Sequence, residues 1–94
     1  MEQIRTRYDK HVLVCTNFRE DREACAKVDG DTIFFELKKF VKENNLASRI
    51  WVTRTGCLGF CNDQGTTVVI YPDKIWLTKV RAHELSEIKQ MLLS

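Results

Sequence analysis

The chain has 94 residues, which predicts a single small domain over residues 1–94, with a polar stretch at 1–9 that we expect to be loose. Its 15 basic and 13 acidic residues are interspersed and leave a net charge of +2, so no one-signed patch predicts nucleic-acid binding. Because no apolar segment approaches the ~20 residues of a membrane span and no secretion signal is visible, we expect a cytosolic protein that binds no membrane.

The first predicted elements are a strand and a helix. Residues 11–15 (HVLVC) form a short apolar run that is typical of a strand buried on both faces. Residues 31–45 predict a helix, and either Asp29 or Asp31 is expected to supply its N-cap. The apolar face of this helix comprises Ile33, Phe34, Leu37, Phe40 and Val41.

The rest of the chain predicts three strands and a second helix. The strands are expected at residues 49–55, 66–71 and 75–79, and the helix at 82–93. The apolar face of this closing helix comprises Leu85, Ile88, Met91 and Leu92. The order β-α-β-β-β-α predicts an α/β fold, with a four-stranded mixed sheet covered by two helices. We expect the first two strands to be parallel, with a right-handed crossover, and the last two to form an antiparallel hairpin.

Four cysteines offer the most distinctive chemistry in the sequence. Nine residues separate Cys15 from Cys25, thirty-one separate Cys25 from Cys57, and three separate Cys57 from Cys61. Because structural disulfides are rare in the cytosol, this set favours metal binding or thiol catalysis. If the first two strands are parallel, their C-terminal ends share one edge of the sheet. The four thiols are then expected to gather at that edge on two loops.

The second cysteine loop contains two glycines, Gly56 and Gly59. Glycine can adopt positive φ and lets backbone amides approach an anionic sulfur centre closely. The alternative is that these glycines only make a tight turn. Leu58 and Phe60 in the same loop would either shield a metal centre from water or pack into the core.

The cysteine spacing disfavours several common kinds of cysteine site without excluding all of them. Zinc sites of four cysteines usually have short C-x2–4-C spacing in both halves. A thioredoxin-type redox pair needs C-x-x-C, which is absent, as are the common ferredoxin runs. We expect His11 and His83 to be surface residues, with His83 far from the thiol edge. A zinc site, an accessory interaction module and a thiol–disulfide redox protein remain alternatives to an iron–sulfur protein.

The pattern C-x9-C, thirty-one residues and then G-C-L-G-F-C resembles the thioredoxin-like [2Fe–2S] ferredoxin family. Members of this family are related to the small iron–sulfur subunit of NADH–quinone oxidoreductase. Residues 10–15 (KHVLVC) and 68–73 (VVIYPD) extend the resemblance over nearly the whole chain. Two features depart from the family pattern. The first cysteine loop is shorter by a residue or more, and Thr66 follows Gly65 where members often have proline.

The resemblance implies a thioredoxin-like fold and one [2Fe–2S] cluster, with Cys15, Cys25, Cys57 and Cys61 as its ligands. The implied function is one-electron transfer between redox protein partners rather than catalysis, in a protein that can form a homodimer. Residues 19–31 carry five acidic and three basic side chains. These side chains either form a slightly acidic rim that steers the protein toward a basic reductase surface or belong to a loop that is merely solvated.

Overall fold

The computed structural model of the chain describes residues 1–16, 29–56, 59 and 65–93. Within these ranges the chain forms four strands, two α-helices and one short 3-10 helix. Every predicted element is present, and its ends fall within about two residues of the predicted ends, apart from the 3-10 turn that replaces the first turn of the closing helix. The elements are β1 (Lys10–Cys15), α1 (Gly30–Glu43), β2 (Ile50–Thr55), β3 (Thr66–Tyr71), β4 (Ile75–Val80), a 3-10 turn (Ala82–Glu84) and α2 (Leu85–Leu93).

The strands form one mixed sheet in the order β2-β1-β3-β4. β1 runs parallel to β2, and both β1–β3 and β3–β4 are antiparallel. This arrangement confirms the predicted mixed sheet and the predicted parallel first pair. In the parallel register Cys15 lies opposite Thr55, so both strands end at the same edge of the sheet. We call this edge the cysteine edge.

Both helices pack on the same face of the sheet. Alternate residues of the strands, such as Val12, Val52 and Ile70, point toward the helices and are buried with them, as the period of a strand requires. The helices contribute Ile33, Phe34, Leu37, Val41, Leu85, Ile88 and Leu92 to this core. Met91, which was predicted to join them, lies at the exposed margin of α2.

The opposite face of the sheet is less buried than the sequence predicted. β1 was expected to be buried on both faces, but Leu13 is only half-buried, next to His11, which is exposed as expected. The reason is that both described helices cover the other face. Trp51, Tyr71 and Trp76 are also exposed, at positions that alternate with the core residues of their strands. No helix in the described ranges is both long and apolar enough to cross a bilayer.

Asp29 occupies the predicted N-cap position of α1 but does not cap the helix with its side chain. Its backbone is left-handed, with φ at 70°, whereas a capping side chain requires an extended backbone. The carboxylate instead accepts hydrogen bonds from Arg81 Nε and from the Ala82 backbone amide, both at 2.9 Å. It therefore ties the start of α1 to the segment between β4 and α2.

These contacts also fix the charge of Asp29. The Ala82 amide, followed by the Arg81 side chain, holds the pKa of the Asp29 carboxyl below its ordinary value of 3.8. Coulomb interactions with Arg81 and His83 act in the same direction, while partial burial opposes them. Asp29 is accordingly a carboxylate across the neutral pH range.

Gly65 lets β3 begin in direct contact with the backbone of β4. A Cβ at this position would lie 2.5 Å from both the Lys79 carbonyl oxygen and the Val80 nitrogen. The register of β3 against β4 shifts at this point, and Lys79 has a φ of 57°. Glycine is required here because any side chain would occupy the space of the neighbouring backbone.

Substitution of Gly65 by alanine should destabilise the fold strongly. We expect the free energy of unfolding to fall by about 3 kcal/mol or more, since the obstacle is main chain that cannot rotate away. Gly56→Ala is the matched control, because a Cβ there would have no atom within 4 Å, and it should cost below about 1 kcal/mol. Denaturant unfolding followed by circular dichroism measures both. Equal stability of the two variants would contradict the close approach at Gly65.

Substitution of Asp29 by asparagine should also destabilise the fold. Asparagine tolerates the left-handed backbone but lacks the charge, so about 1–2 kcal/mol should be lost at neutral pH. Because the folded pKa is lowered, the contribution is complete above the ordinary carboxyl pKa and disappears as the pH falls through the lowered one. The difference from wild type should thus stay constant between about pH 8 and about pH 5 in anaerobic unfolding experiments.

Asp9→Asn is the control for this substitution. Asp9 also pairs with an arginine, Arg49, at 2.7 Å, but both side chains are more than half exposed. Exposed pairs contribute little, so we expect a loss below about 1 kcal/mol. An Asp29→Asn effect that grows as the pH falls from about 6 to about 5 would mean that the pKa of Asp29 is raised and not lowered.

Candidate iron–sulfur site

The cysteine edge begins with Cys15, the last residue of β1, which is fully buried. The ladder between β1 and β2 continues one residue further, because the Thr16 amide donates to the Thr55 carbonyl oxygen at 3.0 Å. The chain leaving Cys15 therefore lies beside Thr55, two residues before Cys57. The prediction that the first and second cysteine loops start next to each other is confirmed by this pairing.

The other three predicted ligands, Cys25, Cys57 and Cys61, lie outside the described residues. Leu58, Phe60 and most of the proposed acidic rim lie outside them as well. Among the residues that are described, no three His, Cys, Asp or Glu side chains form a group that could hold a metal ion. The gathering of four sulfur atoms remains a prediction, and the structure tests the framework that would produce it.

That framework brings the ends of both loops to the cysteine edge. Cys15 and Gly56 begin the two loops, and Asp29 and Gly65 end them. Thr66, next to Gly65, lies opposite Val80 in the register of β3 with β4, and Arg81, which follows Val80, holds Asp29. All four chain ends are thus linked by a short series of backbone pairs and side-chain hydrogen bonds.

Thr66 makes the most direct of these links. Its hydroxyl donates to the Cys15 carbonyl oxygen at 2.7 Å, and the side chain is fully buried. The family pattern has proline near this position, and proline would have no hydroxyl to donate. Thr66 therefore fixes the backbone of the first predicted ligand, a role that the sequence analysis missed because Thr66 lies 51 positions away along the chain.

Thr67 places a second hydroxyl beside Cys15. The antiparallel register of β1 with β3 pairs Val14 with Val68, so its continuation places Cys15 opposite Thr67. Thr67 is 1% exposed, and its Oγ1 has no hydrogen-bond partner among the described residues. A buried hydroxyl of this kind needs an acceptor. A sulfur-rich anionic centre on Cys15 would supply one, so the residues present fit a cluster at this edge.

The glycines of the second loop differ from each other. Gly59 adopts a φ of 94°, which a residue with a side chain rarely takes, and this conformation suits both a tight turn and backbone amides directed at a sulfur centre. Gly56 is open to solvent and has no such conformation. Only Gly59 thus has the backbone freedom that the sequence analysis assigned to both.

The two histidines are exposed, as predicted. His11 lies at the opposite end of β1 from Cys15 and is 3.0 Å from the Thr53 hydroxyl. His83 was predicted to lie far from the thiol edge, and this is wrong. It belongs to the 3-10 turn directly after Arg81, whose side chain holds Asp29 at the cysteine edge. The long closing helix of the sequence prediction hid this turn.

Comparison with known proteins gives a consistent result, although no protein-family model matches the chain. A 2Fe–2S ferredoxin of Clostridium pasteurianum is 32% identical over 81 residues, which cover 83% of this chain and 78% of that protein. A 2Fe–2S ferredoxin of Aquifex aeolicus (strain VF5) is 31% identical over 83 residues, covering 84% of this chain and 74% of that protein.

The fold is shared with solved structures. The crystal structure of the wild-type thioredoxin-like [2Fe–2S] ferredoxin from Aquifex aeolicus aligns with a TM-score of 0.80 and 29% identity, covering 92% of this chain and 86% of that one. A second structure of such a ferredoxin from the same organism aligns with a TM-score of 0.78. The parallel β1–β2 pair, the cysteine spacing and these similarities agree: the chain belongs to the thioredoxin-like [2Fe–2S] ferredoxin family.

Proposed function

We propose that the protein is a one-electron carrier that holds a [2Fe–2S] cluster on Cys15, Cys25, Cys57 and Cys61. The observation that carries the proposal is membership of the ferredoxin family in a chain that has four cysteines and no more. The parallel pairing that starts both cysteine loops at one edge supports the ligand set. When bound, such a cluster takes up or releases one electron without making or breaking a substrate bond.

The residues around Cys15 suit an electron-transfer site. The fully buried Cys15 would be costly as an isolated thiolate, and binding to iron removes that cost. Thr66 holds the Cys15 backbone through its hydrogen bond, which would limit movement of this ligand between the two oxidation states. The Thr67 hydroxyl, opposite Cys15 by continuation of the register, would donate to a cluster sulfur and thereby favour the more negative, reduced state.

The protein is proposed to act as a carrier and not as a catalyst. Its partners would be redox proteins that dock near the cysteine edge, over a small and transient contact. A homodimer is compatible with this role. The protein is further proposed to be a single domain over residues 1–94 that works in the cytosol.

The ligand assignment is tested by replacing Cys57 with serine. Freshly purified, oxygen-protected wild-type protein should be red-brown and contain iron and sulfide in equal amounts. Cys57→Ser should bleach or shift the visible spectrum and reduce the iron content, because serine is a poorer ligand for this cluster. Thr16→Ser, beside Cys15, is the control and should leave colour and iron unchanged. A colourless wild-type protein that contains zinc, or thiols that react with no loss of metal, would overturn the proposed function.

The Thr67 hydroxyl should raise the reduction potential. In Thr67→Val the donor is lost, and the potential is expected to fall by a few tens of millivolts, roughly the equivalent of one hydrogen bond. Thr67→Ser keeps the hydroxyl and should restore most of the difference. Thr53→Val is the control, since the Thr53 hydroxyl faces His11 and not Cys15. An anaerobic redox titration followed by visible absorbance measures all three, and equal potentials for Thr67→Val and wild type would refute the hydrogen bond.

A further inference from the structure

Positive side chains lie over aromatic rings along the outer edge of β2. Lys38 Nζ is 5.6 Å from the ring centroid of Phe34 and 5.7 Å from that of Trp51. Arg54 Cζ is 5.4 Å from the same Phe34 ring, on the side nearer the cysteine edge. The result is a row of alternating rings and cations that runs from Trp51 to Arg54.

Three of the cations on this side have no acidic partner in the described ranges. We call Lys38, Lys42 and Arg54 the basic edge. None of the three forms an ion pair with a described residue, whereas the neighbouring Lys39 faces Glu43 at 3.9 Å. Cation–ring contacts hold a positive charge in place without neutralising it. Lys38 and Arg54, the two ring-held cations of the basic edge, therefore present fixed positive charges to solvent.

A groove accompanies these charges. It has a volume of about 660 Å³ and lies between α1 and β2, with lysines along one side and Ile50, Trp51 and Val52 along the other. Trp51 is 45% exposed, and Phe35 on the adjacent turn of α1 is 57% exposed. Aromatic residues and arginine are the residue types that protein interfaces favour, while scattered lysines alone are ordinary surface.

The position of the basic edge connects it to the proposed site. β2 is an edge strand of the described sheet, and it ends at Thr55, two residues before Cys57. Arg54 is thus the cation of the basic edge that lies nearest to the second cysteine loop. A partner protein bound along β2 would therefore also contact the cysteine edge.

Charged side chains on an edge strand also have a purely protective role, because they prevent edge-to-edge aggregation. That role does not need ring contacts or an apolar groove. The far side of the sheet has a groove between β4 and α2 with the opposite sign, lined by Glu84 and Glu87 together with apolar residues. The two grooves therefore differ in the sign of their lining charges, and such a difference orients an approaching charged protein.

We propose that the basic edge is the docking surface for a redox protein with an acidic patch. This inference rests on the proposed function, and it names the chemistry of the partner. From sequence alone, an acidic rim was considered as the surface that meets a basic partner. The proposal here has the opposite charges, because the side chains on β2 beside the cysteine edge are positive. Complementary charge would speed the encounter and set the orientation of the two proteins.

Small inorganic oxidants test the potential at this edge. The reduced protein is mixed in a stopped-flow instrument with cobalt(III)–EDTA, which is an anion, or with hexaamminecobalt(III), which is a cation. In each reaction one electron passes from the protein to cobalt(III), which becomes cobalt(II). At about 0.01 M ionic strength, Lys38→Glu/Arg54→Glu should react about 5-fold more slowly with the anion and faster with the cation, and about 0.5 M salt should remove both effects.

Arg49→Glu/Lys89→Glu is the matched control. It changes the net charge by the same amount as Lys38→Glu/Arg54→Glu. It also replaces the same residue types in similar settings, an arginine near an end of β2 and a lysine over an aromatic ring, since Lys89 Nζ is 5.5 Å from the Phe40 ring centroid. The control should alter both rates by less than about 2-fold. Iron content and reduction potential must equal those of wild type in both variants. Equal effects of the two variants would overturn the docking assignment.

Titration with poly-L-glutamate tests the surface independently of electron transfer. Amide signals of residues 38–42 and 50–54 should shift in NMR spectra of the wild-type protein, and the shifts should be lost in Lys38→Glu/Arg54→Glu. Shifts on α2, or none, would overturn the proposal. So would concentration-dependent self-association of the wild type that this variant abolishes, because the occupant would then be a second copy. A wild type without iron overturns the proposed function alone, since poly-L-glutamate binding needs no cluster.

Discussion

The parallel pairing of β1 with β2 is the constraint on which the site depends. It places Cys15 opposite Thr55, and the Thr16 amide extends the ladder by one more hydrogen bond. An antiparallel pair would place Cys15 and Cys57 at opposite ends of the sheet, and no loop conformation could then bring both to one small cluster. Parallel pairing requires a long crossover, and α1 fills it while burying one face of the sheet. The helix that builds the core is thus also the element that permits the site.

The cysteine edge is held by polar contacts and close backbone packing, in contrast to the apolar core. Thr66 binds the Cys15 carbonyl oxygen, Asp29 binds the Ala82 amide, and Gly65 packs against Lys79. Polar contacts of this kind are directional, so they fix position better than apolar packing does. A ligand set supplied by loops needs such fixed ends, because loops alone do not hold several side chains in register.

The sequence predicted the elements and failed at the contacts between them. Hydrophobic periodicity is a local property, so the strands and both helices could be placed within about two residues, apart from the 3-10 turn at the start of the closing helix. The bond from Thr66 to Cys15 and the link from Asp29 to Arg81 join residues more than fifty positions apart, and no local pattern encodes them. The partial exposure of Leu13 was missed for a related reason: a short apolar run does not reveal that both helices pack on one face. The sulfur ligands were chosen by spacing and resemblance, and the structure tests only the framework around them.

The charge distribution has a consequence for how a small carrier works. With a net charge of +2, the molecule has little overall attraction for a charged partner. Local charge compensates for this, because Lys38 and Arg54 lie along β2 whereas Glu84 and Glu87 line the groove beside β4. Local charges of this kind orient a partner without binding it tightly, so the complex can dissociate after each transfer. Electron carriers need both properties, since a contact that is too stable would limit turnover as much as one that is misdirected.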